Sequence, residues 1–303
     1  MSLISFISQP EIRAGFRAAL TKQPPFMPDK PMLAPPLTTN YALVGTAFDY
    51  LLRFYLERIN PNTKTQAWVA GIGILFIEDR ETREMAKDVF KDAEKHHQAY
   101  LQNGILTDEL ISASLRLACL DGSARGGNAR FNKDGLTHLE EGDIADLRQL
   151  MSIVPEQDFK AQKACHLNPT FGFASSLVGG GDADIVIDDK IIDIKTTKNL
   201  KLEPKHIHQL VGYYILLSLG GVNLKRSSNI NYLDEISDIN HLGIYFSRHG
   251  YLHKFKTKDL IAPEALSGFV KWFIKSACPT KKELLDYCKK LHGQTAKQLL
   301  DEI

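Results

Sequence analysis

From Tyr41 to Ile59 the chain runs YALVGTAFDYLLRFYLERI, with apolar residues at helical spacing and a stop at Asn60-Pro61. The pattern predicts a helix capped by Asn40. Ahead of it, Ser8-Gln9-Pro10-Glu11 reads as a capping box opening a short helix to about Thr21. Residues 22–38 hold six prolines, which excludes a helix or a central strand and predicts an extended surface connector. Residues 64–153 read almost entirely as helices. WVAGIGILFIEDR is apolar and expected to be buried, and Glu81–Asn103 places Met85, Val89, Ala93 and Tyr100 on one face. A third helix is expected from Thr107 to about Leu120, ended by the Gly-rich basic loop Gly122–Phe131.

Near Pro155 the period shortens. FKAQKACHL, ADIVID and KIIDIKT read as strands, Pro204 to Leu219 as a helix, and HLGIYFSRHGYLHKFK as a hairpin around Arg248-His249-Gly250. Asn168–Phe171 reads as a turn. Two helices close the chain, the second capped by Thr280 with Glu283.

Composition narrows the class. The chain has 303 residues, 44% hydrophobic and 24% charged, with net charge +1. That is ordinary globular composition, and any nucleic-acid partner must be met by locally concentrated charge. Cys119, Cys165, Cys278 and Cys288 form no C-x-x-C pair, which argues against a zinc site or disulfide framework and for a reducing, cytoplasmic setting. The N-terminus lacks the basic region and cleavage site of a signal peptide. The uncharged stretch between Lys205 and Lys225 is interrupted by His206, His208, Gln209 and Gly220-Gly221, so no membrane span is expected.

Residues 179–198, GGGDADIVIDDKIIDIKTTK, carry the chemistry. If the hairpin loop is Asp188-Asp189, Asp184 lies opposite Asp193. If it is Asp189-Lys190, Asp184 lies opposite Lys195. In either register Asp184, Asp193 and Lys195 share one face, while Ile185, Ile187, Ile192 and Ile194 occupy the other. Two carboxylates on neighbouring strands repel unless a cation sits between them. A hard divalent ion suits that place, because Mg²⁺ uses one or two protein carboxylates and keeps several waters. A solvated strand face with a Lys–Asp pair is the bland alternative.

The run A-D-I-V-I followed by D-I-K-T resembles the core of the PD-(D/E)XK nuclease superfamily, with Asp184 as first acid and Asp193-Ile194-Lys195 as the (D/E)-x-K element. Gln209 and Tyr213, on the helix that follows, resemble the Q-x-x-x-Y pair of the RecB-type branch. Gly45-Thr46-Ala47-Phe48-Asp49 resembles that branch's G-x-x-x-H helix, with Asp in the place of His. The resemblance implies an α/β fold in which a mixed sheet of four or five strands is flanked by helices and carries an all-helical insertion. It implies a Mg²⁺ or Mn²⁺ site at Asp49, Asp184, Asp193 and Ile194, with Asp184, Asp193, Lys195, Gln209 and Tyr213 as catalytic residues. Glu57 is the substitute for Asp49, and an Asp49–Arg53–Glu57 stripe of helix ion pairs is the local alternative.

The expected domains are an N-terminal helix and connector (1–38), a nuclease core (39–61 and 156–260), the insertion (62–155) and C-terminal helices (261–303). The expected activity is metal-dependent hydrolysis of DNA in repair, recombination or defence against foreign DNA, with a protein partner or second copy completing the grip. A nuclease-fold binding or scaffolding subunit without catalysis is the rival. Lys190, Lys195, Lys198, Lys201 and Lys205, with His206 and His208, suggest a phosphate-binding rim. Arg125, Arg130 and Phe131 suggest a weaker strand clamp. His96-His97 is expected at the surface.

Overall fold

A computed structural model describes residues 2–20, 26–126, 131–221, 239–278 and 280–290 (for Arg125 and Gly126, the backbone). Among them lies a six-stranded mixed sheet of sequential order. Its strands are β1 (Lys64–Thr65), β2 (Cys165–Leu167), β3 (Ile185–Ile187), β4 (Lys190–Lys195), β5 (His241–Phe246) and β6 (Tyr251–Lys256). β1–β2 and β4–β5 pair parallel, and the other neighbours antiparallel. The parallel β4–β5 step needs a crossover, and α10 (Pro204–Gly220) lies on it.

Both faces of the sheet are covered, which explains why its strands are so apolar. On one face Val186, Ile191, Leu242, Ile244 and Phe246 pack with α10, the N-terminal helices α1 (Leu3–Ile7) and α2 (Pro10–Ala19), and α12 (Pro263–Ala277). On the other, Leu167, Ile185, Ile187, Ile192 and Tyr245 pack with α3 (Tyr41–Ile59) and the helices of the 69–152 stretch. Those are α4 (Val69–Leu75), α5 (Arg80–Asn103), α6 (Asp108–Gly126) and α7 (Glu141–Ser152). Phe48 of α3 stacks on Tyr245 of β5 at 6.3 Å. Gly73 of α4 permits the close α4–α6 crossing, since a Cβ there would meet Leu120 O at 1.9 Å.

The remaining elements are short: α8 (Glu156–Phe159), α9 (Phe173–Leu177), α11 (Thr257–Leu260) and α13 (Lys281–Cys288). α13 has the expected box, Thr280 and Glu283 each capping the other's N–H.

Several local expectations change in three dimensions. Gln9, not Ser8, precedes α2; Ser8 ends α1, its hydroxyl donating to Ser5 O at 2.8 Å. Asn40 precedes α3 without a side-chain cap hydrogen bond, and its Nδ2 donates to the Asp143 carboxylate at 3.0 Å. The Pro-rich connector is not wholly superficial. Ala34 is fully buried, and Leu33 N–H and Ala34 N–H both donate to Arg248 O. α6 runs past Leu120 into the Gly-rich segment, where Ser123 hydroxyl donates to Gly73 O, a tertiary bond no local rule anticipates. The apolar 68–80 stretch leaves Leu75 76% and Phe76 51% exposed. The strand expected over 159–167 is only Cys165–Leu167, and Lys64–Thr65 joins the sheet unannounced. His97 is buried, bonded to Glu57 at 3.1 Å and packed against the Phe54 ring at 4.3 Å.

Candidate active site

The β3–β4 pairing sets Ile185 against Ile192 and Ile187 against Lys190, so the loop is Asp188-Asp189. Extending that register places Asp184 across from Asp193, the first of the two expected arrangements. The loop is closed by its own acids. Asp188, at φ +51°, accepts the N–H groups of Gln162, Lys163 and Ala164, and Asp189 accepts from His241 Nδ1 at 2.9 Å.

Asp184 and Asp193 fall on the α10 side of the sheet, the face that also carries Val186 and Ile191. Both carboxylates are therefore sheltered, and Asp193 is only 2% exposed. Asp184 Oδ2 accepts the Ile194 N–H at 2.7 Å. Lys195 Nζ stands 2.7 Å from Asp193 Oδ2 as an ion pair, and that buried oxygen has no directed hydrogen bond. Burial, then the Asp193 and Asp49 charges, push the Asp184 carboxyl well above its ordinary range. Burial also raises Asp193, against the pull of Lys195. Burial works against the Lys195 charge, but Asp193 and Asp184 outweigh it and hold the ammonium above its ordinary value.

The Gln209–Tyr213 pair connects directly to this centre. Lys195 Nζ donates to Gln209 Oε1 at 3.2 Å, and Gln209 Nε2 donates to Tyr213 hydroxyl at 2.9 Å. Tyr213 is buried, and its phenol is raised by that burial and by the Asp193 and Asp184 charges. His206, one turn before Gln209, is pushed down to about 4 by burial and by Lys195. Its ring accepts the Glu203 N–H, a cap for α10.

α3 covers the opposite face. Its Gly45 faces the chain leaving β4, where an added Cβ would lie 3.7 Å from Thr196 Cβ. Asp49, one turn on, is close enough for its charge to raise both Asp184 and Asp193. Its Oδ2 pairs with Arg53 at 2.7 Å, while Oδ1 is buried with no hydrogen-bond partner. Glu57, two turns beyond Asp49, is engaged by His97. The Asp49–Arg53 pair expected from the local alternative exists, but it is no surface pair: Arg53 is 3% exposed and lies 4.4 Å from the Tyr50 ring.

The lysines do not form one rim. Lys190 sits at the far end of β4 on Asp189 (3.4 Å), and Lys205 pairs with Glu203. His208 is buried against Phe16. Lys195 and Lys198 accompany the carboxylates out of β4, and Lys201, exposed, follows three residues on. Lys198 Nζ donates to Tyr41 hydroxyl at 2.7 Å and lies 4.5 Å from the centre of its ring. Tyr41 escaped the sequence reading, although Tyr41, Gly45 and Asp49 share the i, i+4, i+8 stripe that could have found it. Phe131 packs on the helical core instead of standing free for a base, and the Arg125 side chain and Arg130 fall outside the described residues.

A divalent ion is the group the resemblance implies. Asp193 Oδ2 and Asp49 Oδ1 are buried carboxylate oxygens without hydrogen bonds, the donor type a hard ion takes, although Lys195 and Arg53 already stand as counter-charges to the two groups. As arranged, no three acidic, His or Cys side chains among the described residues are gathered into a complete ligand set. No described helix is long and apolar enough to cross a membrane. Comparison of the chain with protein-family models, curated proteins and solved structures finds no match.

Proposed function

We propose that this protein is a divalent-metal-dependent nuclease of PD-(D/E)XK type, acting on DNA in repair, recombination or defence. Its core comprises α3, β2–β6 and α10, with residues 62–155 inserted. The observation that carries the reading is the chain Asp193–Lys195–Gln209–Tyr213 beside Asp184, because motif residues of the β4 strand and the α10 helix meet through one ion pair and two hydrogen bonds.

Asp184, Asp193 and the Ile194 backbone would hold the ion, with Asp49 completing the set through its unpartnered oxygen. When bound, the ion supplies charge for the phosphodiester oxygen and lowers the pKa of a water. Lys195 neutralises the negative charge growing on the phosphoryl oxygens. Gln209 orients that ammonium, and Tyr213 orients Gln209. The sheltered face excludes bulk water and strengthens these interactions.

The test is incubation of the purified protein with linear and circular DNA in Mg²⁺, Mn²⁺ or EDTA, alongside Asp193→Asn and Lys195→Ala. Cleavage in metal that both substitutions abolish supports the reading; cleavage equal in all three proteins refutes it. The rival, a nuclease-fold binding or scaffolding module, is favoured by one fact: Lys195 and Arg53 already neutralise Asp193 and Asp49. It predicts DNA binding without cleavage in any metal.

A further inference from the structure

Along α3, Tyr41, Gly45 and Asp49 follow one another at four-residue intervals, spanning about 12 Å at 1.5 Å per residue. Along the chain leaving β4, Asp193, Thr196 and Lys198 follow in the opposite direction. The two tracks meet at two levels: a Cβ added at Gly45 would lie 3.7 Å from Thr196 Cβ, and Tyr41 meets Lys198. The Tyr41–Lys198 pair therefore marks the outer end of a path whose inner end is the carboxylate centre.

The pair is held in place. His249 Nε2 lies 3.2 Å from Lys198 O and His249 Nδ1 lies 3.1 Å from Pro31 O, tying this loop to the Pro-rich connector. Thr196 is bonded to Ser247 of the same hairpin turn at 3.0 Å. Yet the pair remains accessible, with Tyr41 43% exposed and Lys198 exposed. The first turn of α3 carries no acidic residue to repel an anion, and the positive end of the helix adds to the attraction.

We propose that Tyr41 and Lys198 grip a single nucleic-acid strand as it enters the site, the phenol ring stacking on a base and the ammonium meeting the adjoining phosphate. This deepens the nuclease reading and rests on it for the identity of the inner end. An exposed ring set beside an ammonium suits unpaired bases, whose faces are free, and not a duplex, whose bases are stacked on each other. The span of about 12 Å from Tyr41 to Asp49 along α3 corresponds to about three or four stacked nucleotides at 3.4 Å each. The substrate class is thus single-stranded or frayed nucleic acid.

The test is fluorescence anisotropy of the full chain in EDTA with labelled oligothymidine and with a blunt duplex. Wild type should favour the single strand. Tyr41→Ala should weaken that binding about tenfold, while Tyr41→Phe, which keeps the ring, retains most of it. Lys198→Gln should reduce the salt slope by about 0.7, the loss of one phosphate contact on a single strand. Equal affinity for both ligands, or unchanged binding in Tyr41→Ala, overturns the proposal, as does absence of binding. Because EDTA removes cleavage, the two readings separate. Metal-dependent cleavage that needs Asp193 but ignores Tyr41 sinks only this inference. Tyr41-dependent strand binding by a protein that never cleaves sinks only the catalytic one. Tyr41→Phe and Lys198→Gln, at exposed positions, keep the test open should Tyr41→Ala fold poorly.

Discussion

Lys195 donates to Gln209 Oε1, and this contact decides which way the Gln209 amide faces, leaving Nε2 for the Tyr213 hydroxyl. The orientation of the lysine thus depends on a tyrosine that never reaches it. Removing the phenol in Tyr213→Phe leaves the buried amide N–H without its acceptor. The expected result is a ten- to hundredfold loss of metal-dependent cleavage, the usual scale for supporting contacts, with the fold intact. Single-turnover rates together with melting curves check it. Wild-type rates in Tyr213→Phe would show that the chain of bonds is packing only.

Asp184 and Asp193 should govern the pH dependence of stability in the metal-free protein. Each has a folded-state pKa raised above its unfolded value, so the folded protein holds protons that the unfolded chain has released. Their contribution is present below the ordinary carboxylate range and is lost as pH rises towards the raised values. Asp184→Asn removes the Asp184 share of this loss. Its melting temperature relative to wild type, in EDTA, should therefore climb with pH across that window. A difference constant with pH would mean the pair is not strained.

For Asp49 the burial of Arg53 changes the expected cost. An exposed i, i+4 pair is worth at most about 0.5 kcal/mol. Arg53 is buried, and Asp49→Ala strands its guanidinium, at a cost of about 3 kcal/mol. Urea unfolding measures this. Asp49→Asn keeps a hydrogen-bond acceptor for Arg53 and is the variant for metal titration. If Asp49 is a ligand, its activity curve shifts to higher Mg²⁺. Superimposable curves for Asp49→Asn and wild type remove it from the site.

Arg248, among the largest fully buried side chains of the described residues, forms a bidentate pair with Asp146 at 2.8 and 3.0 Å and also donates to Ala34 O. It joins the β5–β6 turn, α7 and the connector. Asp146→Ala should cost about 3–5 kcal/mol by leaving the guanidinium buried without its counter-charge. Replacing both residues by apolar ones of similar volume should recover much of that loss. A single substitution costing under about 1 kcal/mol in urea would show that water replaces the partner.

What the sequence determined by itself is local and periodic. The length of α3, the β3–β4 hairpin, α10 and the sharing of one face by Asp184, Asp193 and Lys195 follow from 3.6- and 2-residue periods, which the backbone imposes wherever the element forms. The tertiary structure decided what those periods leave open. It chose the Asp188-Asp189 loop because Asp188 finds three N–H donors more than twenty residues away. It buried Arg53, His97 and Arg248, residue types that local pattern assigns to the surface, by supplying Asp49, Glu57 and Asp146 as partners. It also divided the lysines. Lys190 and Lys195 lie on one strand, but five residues of extended chain put them about 17 Å apart, so only Lys195 reaches the carboxylates. Charge pairing and close approach depend on distance in space, and a linear pattern carries that information only within a turn or a hairpin.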